Sequence, residues 1–376
     1  MELIKSFLGI LLLAYMAIIC FLLYGFSKIP YFISNKKSPE NAFSILVPFR
    51  NEVQNLPDLL DSFSTLHFPN SNFELIFIDD FSTDNSSKII ENWHKENSSI
   101  QLKLITNNQK SLSPKKEALS KAIGIAKYEW IITTDADCCV PMNWLKTLDQ
   151  FIQTHDAAMV IGAVKLRESS NVFVHFQKLE ILSLQGTTIG TFGCKLPFMC
   201  NGANFAYTKK LFAELHGYVN NNNIGSGDDV FLLQKAVRIC PEKVFYLKNS
   251  DFVVETKAEK TLYNLIQQRI RWASKTSKYE QAFGKLVAII VLLTNGVLAV
   301  LLLLFCFNIV NRWFLLLYFG SKYVLDYLLI QKTNVFLYGK SFVLVLLSSL
   351  LYPFYSSLIG TYSLFGSYKW KQRDFK

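Results

Sequence analysis

The chain has 376 residues, 51% of them hydrophobic, and a formal net charge of +10. That length suggests two or three folded units, and the apolar residues pile up in residues 6–26 and 286–366, with an ordinary globular composition between them. Much of the basic excess flanks the apolar segments, as expected beside a membrane, and no zinc-finger or recognition-helix pattern points to nucleic acid.

Seven cysteines (Cys20, Cys138, Cys139, Cys194, Cys200, Cys240 and Cys306) include no Cys-x-x-Cys pair. An odd count without such a pair argues against a disulfide framework and against a zinc site. Reduced thiols acting as small hydrophobes account for them. The histidines are scattered and form no ligand cluster.

Residues 7–26 carry no charge and are long enough to cross a bilayer. The segment lacks the short apolar core and small-residue cleavage site of a signal peptide. Lys28, Lys36 and Lys37 follow it, so the positive-inside bias puts the downstream side in the cytoplasm.

Phe43–Val47 is β-like and is ended by Pro48 and Phe49-Arg50-Asn51-Glu52. A helical pattern carries Leu56, Leu59, Leu60, Phe63 and Leu66. Glu74–Ile78 reads as a second strand, ending in Asp79-Asp80-Phe81-Ser82-Thr83-Asp84, with a polar helix to about Asn97. Gln101–Thr106 is a third strand, and Ser113-Pro114 opens a helix with Lys115, Lys116, Ala118, Leu119 and Ile123. The fourth strand, Ile131-Ile132-Thr133-Thr134, stops at Asp135-Ala136-Asp137. Strands alternating with helices of this length imply a mainly parallel sheet with right-handed crossovers. Ligands bind at the carboxyl ends of such strands, where both acidic clusters fall, at ends expected to be adjacent.

Two carboxylates one residue apart repel each other unless a cation is present. Oxygen-only ligands suit Mg²⁺ or Mn²⁺, and an ion held by two protein carboxylates usually completes its shell with phosphate oxygens. Asp79-Asp80 exceeds what helix capping requires, although Ser82 and Asp84 suit a cap.

Beyond Pro141 the pattern predicts a helix, a β-like run over Ala158–Val164, a helix from about Asn171 to Thr188 and a loop over Gly190–Lys195. Cys200–Tyr207 leads into another helix. Asn220–Gly227 reads as a mobile Asn/Gly loop running into Asp228-Asp229, two acids in the first turn of a helix, where the dipole alone would favour them. Residues 256–280 form an amphipathic helix candidate, with Leu262, Leu265, Ile266, Arg269, Ile270 and Ala273 at helical spacing and a basic opposite face. A basic amphipathic helix before a hydrophobic segment reads as lying on the membrane surface. Gln268, Arg271 and Trp272 project from one side of it.

Residues 286–308 and 341–366 are spanning candidates, the second interrupted by Pro353, and 313–330 is ambiguous because it contains Lys322 and Asp326. Four full crossings would place the basic tail Lys369–Lys376 outside, against the positive-inside bias. One C-terminal segment is therefore expected to be interfacial or re-entrant, with the tail cytoplasmic.

Together these motifs resemble the family 2 inverting glycosyltransferases, in the membrane-attached branch with cellulose and hyaluronan synthases and ceramide glucosyltransferase. The resemblance runs from about residue 43 to 280. It is carried by Val47-Pro48-Phe49-Arg50-Asn51-Glu52, Asp79-Asp80-x-Ser82-x-Asp84, Lys115-x-x-Ala118-Leu119, Asp135-x-Asp137, Gly202-Ala203-Asn204, Gly227-Asp228-Asp229 and Gln268-x-x-Arg271-Trp272. Ser120 stands where the family usually has Asn, and Asp228-Asp229 where it has Glu-Asp, which leaves Asp229 as the matching base.

The resemblance implies an α/β fold: a GT-A nucleotide-sugar domain, with a Rossmann-like mixed sheet, between N- and C-terminal transmembrane helices. The expected layout is an anchor (1–27), the GT-A domain (40–255), an interfacial helix (256–282), a membrane region of two or three segments (286–366) and a basic tail (367–376). Pro48, Asn51 and Glu52 would line the nucleoside pocket. Asp79 and Asp80 would accept from the base, uracil by preference, and Lys115 would join the donor site. Asp135 would face the ribose and the ion, with Asp137 as the main ligand of Mg²⁺ or Mn²⁺. Asp229 would be the general base. Gly202, Ala203, Asn204, Asp228, Gln268, Arg271 and Trp272 would serve the diphosphate and the acceptor.

The implied activity is transfer of a sugar, with inversion, from a nucleoside diphosphate sugar to a membrane-associated acceptor at the cytoplasmic face of the inner membrane. A lipid or lipid-linked glycan is favoured over a growing polymer because the few C-terminal spans give little channel wall. A nucleotidyltransferase would normally show a Gly-rich basic loop, and Val47–Glu52 contains no glycine. An inactive scaffold sits poorly with the complete acidic set.

Overall fold

A computed structural model describes residues 2–34, 37–107, 113–219, 225–340, 344–371 and 373–375. In chain order the main helices and strands are α1 (Glu2–Lys28), β1 (Phe43–Phe49), α2 (Leu56–Ser64), β2 (Phe73–Asp79), α3 (Ser86–Glu96), β3 (Gln101–Thr106), α4 (Pro114–Ile125), β4 (Trp130–Thr133), β5 (Cys138–Cys139) and α5 (Trp144–Ile152). There follow β6 (Met159–Ile161), β7 (Val164–Leu166), α6 (Val172–Gly193), β8 (Phe205–Thr208), α7 (Lys209–Glu214), α8 (Asp228–Ile239), β9 (Val244–Tyr246), β10 (Val254–Thr256), α9 (Leu262–Ser274), α10 (Ala282–Cys306), α11 (Arg312–Tyr338) and α12 (Leu346–Phe365). A terminal hairpin pairs β11 (Tyr368–Trp370) with β12 (Arg373–Phe375). The chain divides into two compact units, one of residues 30–168 and 199–258, the other of 1–29, 169–198 and 259–376.

The first unit is built on a seven-stranded sheet of order β3-β2-β1-β4-β8-β6-β9. β1 to β4 run parallel; β8 is antiparallel to both β4 and β6, so the sheet is mixed. β1 and β2 are buried almost end to end, which is why they read as continuous apolar runs rather than alternating ones. The chain moves outward from β1 to β3 and then returns to the other side of β1 for β4. That reversal makes the carboxyl ends of β1 and β4 the switch point where ligands bind in open α/β sheets. β2 and β4 are not neighbours, contrary to the expectation of adjacent acidic strand ends; β1 lies between them.

The expected β-run over Ala158–Val164 is two strands in different sheets. β6 joins the large sheet and β7 a small one of order β5-β10-β7. Gly162 sits at the break; a Cβ there would overlap the Asn204 side-chain amide. The predicted helix over 256–280 is shorter: β10 takes its start, and α9 is followed by a single turn at Thr276–Lys278.

Among the described residues, the second unit holds three helices long and apolar enough to cross a membrane, Ser6–Lys28, Ala282–Cys306 and Arg312–Tyr338. The ambiguous 313–330 segment thus lies inside one continuous helix. Its charges are internally paired, Lys322 Nζ donating to Asp326 Oδ2 and Tyr15 Oη to Asp326 Oδ1, each at 2.5 Å. The expected span over 341–366 is instead α12, whose serines, tyrosines and Pro353 dilute its apolar character; residues 341–343 lie outside the described ones.

The expected loop at Gly190–Lys195 is largely helical, because α6 continues to Gly193. Segment 169–198, within the expected 40–255 domain, groups with the long apolar helices. Its glycines explain the packing. A Cβ at Gly190 would lie 2.6 Å from the Leu22 carbonyl, one at Gly193 would overlap the Gly25 carbonyl, and one at Gly186 would lie 2.6 Å from Thr333 Oγ1. Small residues of this kind let α1 and α11 approach the α6 backbone, as in membrane helix pairs.

Candidate active site

The carboxyl ends of β1 and β2 are stitched together by short polar side chains. Asn51, with φ of 53°, turns the chain out of β1. Its Oδ1 accepts from Thr83 N at 2.8 Å, and its own amide donates to Ser82 Oγ at 3.0 Å. The Glu52 amide donates to Ser86 Oγ at 2.8 Å, and the Val53 amide to Asp84 Oδ2 at 3.2 Å. Asp84 also accepts from the Ser86 amide, 3.0 Å away. Asp79 accepts from the Ser82 amide at 2.8 Å and Ser87 Oγ at 3.0 Å, so both its oxygens shape the turn. Asp80 is buried and accepts from Asn107 Nδ2 at 2.9 Å. Pro48 is the penultimate residue of β1, and Glu52 Oε2 accepts from Asn55 Nδ2 at 2.6 Å.

At the end of β4, Ala136 is buried while Asp135 and Asp137 on either side are partly exposed. Lys115, from the first turn of α4, reaches Asp135 Oδ1 at 2.8 Å and Asp228 Oδ2 at 3.6 Å. Burial opposes its charge, but Asp135, Asp228 and Asp229 outweigh that and raise its pKa above the ordinary lysine value. Among the described residues no group of three His, Cys, Asp or Glu side chains could hold a metal ion. The donor set is two oxygen ligands one residue apart, which fits a hard divalent ion completing its shell with phosphate oxygens.

Across the same strand end, Thr133 Oγ1 donates to the Gly202 carbonyl at 2.6 Å and fixes the turn Gly202–Asn204. The Gly202 amide donates to Asp229 Oδ2 at 2.8 Å, and Asp229 Oδ1 accepts from the Val230 amide at 2.7 Å. Asp228 and Asp229 open α8 after Gly227, whose φ of 83° suits glycine. The helix N-terminus and the two amides stabilise negative charge on Asp229. Of the preceding loop, residues 220–224 lie outside the described ones. Within the Gly202–Asn204 turn, Ala203 is buried and Asn204 is fully buried. Asn204 accepts from Trp144 Nε1 at 3.0 Å and donates to the Ala163 and Phe252 carbonyls at 2.9 and 2.5 Å, so its side chain serves the core.

The structure therefore groups Lys115, Asp135, Asp228, Asp229 and Gly202, with Asp137 one residue beyond the buried Ala136. Gln268, Arg271 and Trp272 belong to α9 in the other unit. Sequence reading missed Thr133 and the pair Asn55 and Asp58, which accept from Lys257 Nζ at 3.0 and 3.1 Å. Only the polar character of these positions beside recognised motifs could have flagged them.

The model for "Glycosyl transferase family 2" matches residues 44–215, and that for "Glycosyl transferase family group 2" matches residues 130–360. Poly(ribitol-phosphate) β-N-acetylglucosaminyltransferase TarS of Staphylococcus aureus is 29% identical over 123 residues, 33% of this chain and 21% of that protein. Poly-β-1,6-N-acetyl-D-glucosamine synthase of Staphylococcus epidermidis is 26% identical over 155 residues, covering 41% and 36%. β-Monoglucosyldiacylglycerol synthase of Nostoc is 29% identical over 126 residues, covering 34% and 26%. The chain thus spans between 21% and 36% of the length of these relatives. A mannosyltransferase from Pyrobaculum calidifontis, solved with GDP-mannose and Mn²⁺, shares the fold at a TM-score of 0.55 and 17% identity, covering 95% of this chain and 96% of that one. With more than half of its length matched by the family group 2 model, the chain belongs to the family 2 glycosyltransferases of GT-A type, enzymes that act on sugar nucleotides.

Proposed function

We propose that this enzyme transfers a sugar, with inversion, from a UDP-sugar to a lipid or lipid-linked glycan at the cytoplasmic face of a membrane. The observation that carries the reading is the arrangement around Lys115, with Asp135 of the strand end on one side and Asp228, next to the Gly202-bound Asp229, on the other.

Asp229 acts as the base. Its carboxylate takes the acceptor hydroxyl proton while the acceptor oxygen bonds to the anomeric carbon. The bond from that carbon to the diphosphate oxygen breaks, and its electron pair leaves with the nucleoside diphosphate. A single displacement with one base inverts the anomeric centre. Asp135 and Asp137 would hold Mg²⁺ or Mn²⁺, which when bound neutralises charge on the leaving diphosphate. The loop after β1 and the Asp79-Asp80 turn, with Pro48, Asn51, Glu52 and Asp80, form the nucleoside side. Asp79 acts there through the turn it shapes. Asp228 helps Lys115 keep the two acidic groups in place. Gln268, Arg271 and Trp272 enter as binders of diphosphate and acceptor through their sequence pattern alone.

Three crossings, by the segments Ser6–Lys28, Ala282–Cys306 and Arg312–Tyr338, put both the catalytic domain and the tail in the cytoplasm, with α12 interfacial. The lipid reading is supported by the Nostoc relative; a polymer product is the second reading, favoured by the S. epidermidis one. Incubating the purified enzyme with a panel of UDP-sugars and membrane lipids, with and without chelator, tests the proposal by mass spectrometry. One sugar added to a lipid, dependent on a divalent ion, supports it; a ladder of long products selects the polymer reading; nucleotide release without a glycosylated product contradicts both.

A further inference from the structure

Arg269 stands inside Gln268-x-x-Arg271-Trp272 at one of the variable positions. It occupies the apolar stripe of α9 and is almost fully buried, at 4% exposure. A cation is costly there unless paired and hydrogen-bonded. Its Nε donates to Glu180 Oε2 at 2.8 Å, and Glu180 is itself buried, an acid on the otherwise largely apolar α6. Its Nη1 donates to Gln268 Oε1, and its guanidinium lies over the Trp272 ring, 4.3 Å from the centroid. One buried plane thus touches the first and last members of the motif. Gln268 is gripped from a second side, its Nε2 donating to Glu259 Oε1 at 2.7 Å. Glu259 is fixed in turn by Gln177, three residues before Glu180 on α6, whose amide bonds the Glu259 main-chain N and O at 2.9 and 3.0 Å. All these residues lie in one compact unit.

We infer that Glu180 and Arg269 are positioning residues for the reaction: anchored to α6, Arg269 sets the orientations of Gln268 and Trp272. The inference rests on the proposed binding role of the motif. A buried ion pair is weak evidence for stability in itself, since apolar replacements of similar volume are often tolerated. What the pair supplies is a planar, multidentate donor that neither lysine nor an apolar residue reproduces.

This separates positioning from mere packing. The full chain in detergent is compared as wild type, Arg269→Lys, the double variant Glu180→Leu with Arg269→Met, and Arg271→Ala. The double variant removes both charges and keeps the volume, so it is expected to retain the wild-type melting temperature. Its kcat is expected to fall about a hundredfold, the scale of loss from misplacing a positioned group. Arg269→Lys keeps a cation for Glu180 and is expected to fold without regaining turnover. A double variant or Arg269→Lys enzyme with wild-type kcat overturns the inference. If the double variant does not fold, Arg269→Lys decides: folded with reduced kcat supports positioning, and wild-type kcat refutes it. Wild-type kcat in Arg271→Ala refutes the motif's role itself, and with it the positioning. Loss in Arg271→Ala with full activity in the double variant refutes the positioning alone.

Discussion

The main-chain amide of Gly202 donates to Oδ2 of Asp229 at 2.8 Å, tying a turn at the end of β4 to the first turn of α8. A Cβ on Gly202 would rest 3.4 Å from Asp229 Cβ and from Asp228 Oδ2, ordinary contact distances. Gly202→Ala should therefore fold with a wild-type melting temperature. Gly202→Val, whose methyl groups reach further towards the carboxylates, should lose most transfer. Equal turnover in the two variants would mean that the space beside Asp229 is not used by the acceptor.

Lys115→Met leaves Asp135, Asp228 and Asp229 without their shared cation. Because the lysine pKa is raised in the folded protein, its contribution is fully present below the ordinary lysine value and is lost only as pH rises beyond it. The wild type should thus show no lysine-linked loss of stability between neutral and mildly alkaline pH. The variant should be destabilised at neutral pH and should bind the nucleotide-sugar donor more weakly. Thermal melts across that range and donor titration check both.

Glu74 is buried at the opposite end of the sheet from the site, where Ser44 Oγ, Lys103 Nζ and the Lys127 amide meet its carboxylate. Burial alone would raise its pKa; Lys103, Ser44 and the Lys127 amide overcome this and lower it from about 4.5. Its contribution is therefore present above the ordinary glutamate value and lost as pH falls through the lowered folded one. Glu74→Gln should cost about 1–3 kcal/mol at neutral pH and flatten the acid limb of the stability curve. An unchanged acid limb would show that the carboxylate is not what titrates there.

Asn204→Ala orphans Trp144 Nε1 and two carbonyls in the core. A loss of about 3 kcal/mol is expected, the upper end for unsatisfied buried polar groups. Donor affinity of the folded fraction should be unchanged. Wild-type stability with weakened acceptor binding would instead restore the contact role implied by family resemblance.

Much of the parallel half of the sheet was legible because its pattern is local. Apolar strands that stop at Asp79-Asp80 and Asp135-x-Asp137 announce both the sheet and the strand ends where ligands bind. The order of strands was not legible, since β1 separates β2 from β4 through crossovers that leave no mark in local pattern. The bonds of the Asn204 side chain to Trp144 and two core carbonyls were not legible, because a motif does not reveal which way a side chain points. Arg269 was readable as part of an apolar stripe, but its counter-charge lies 89 positions away in Glu180, beyond any spacing rule. The length of α6 was misjudged at Gly190 and Gly193, where glycine marks close helix packing rather than a helix end.

In the proposed reaction Asp229 is the base of a metal-assisted transfer. Asp229→Asn keeps the volume and an acceptor oxygen for the Gly202 amide but cannot take a proton at neutral pH. Measured with UDP-sugar and acceptor at saturation, transfer by this variant should fall by about 10²- to 10⁴-fold, the range for a lost general base, with UDP-sugar affinity by calorimetry within about twofold of wild type. Transfer at the wild-type rate with intact donor binding would contradict the account.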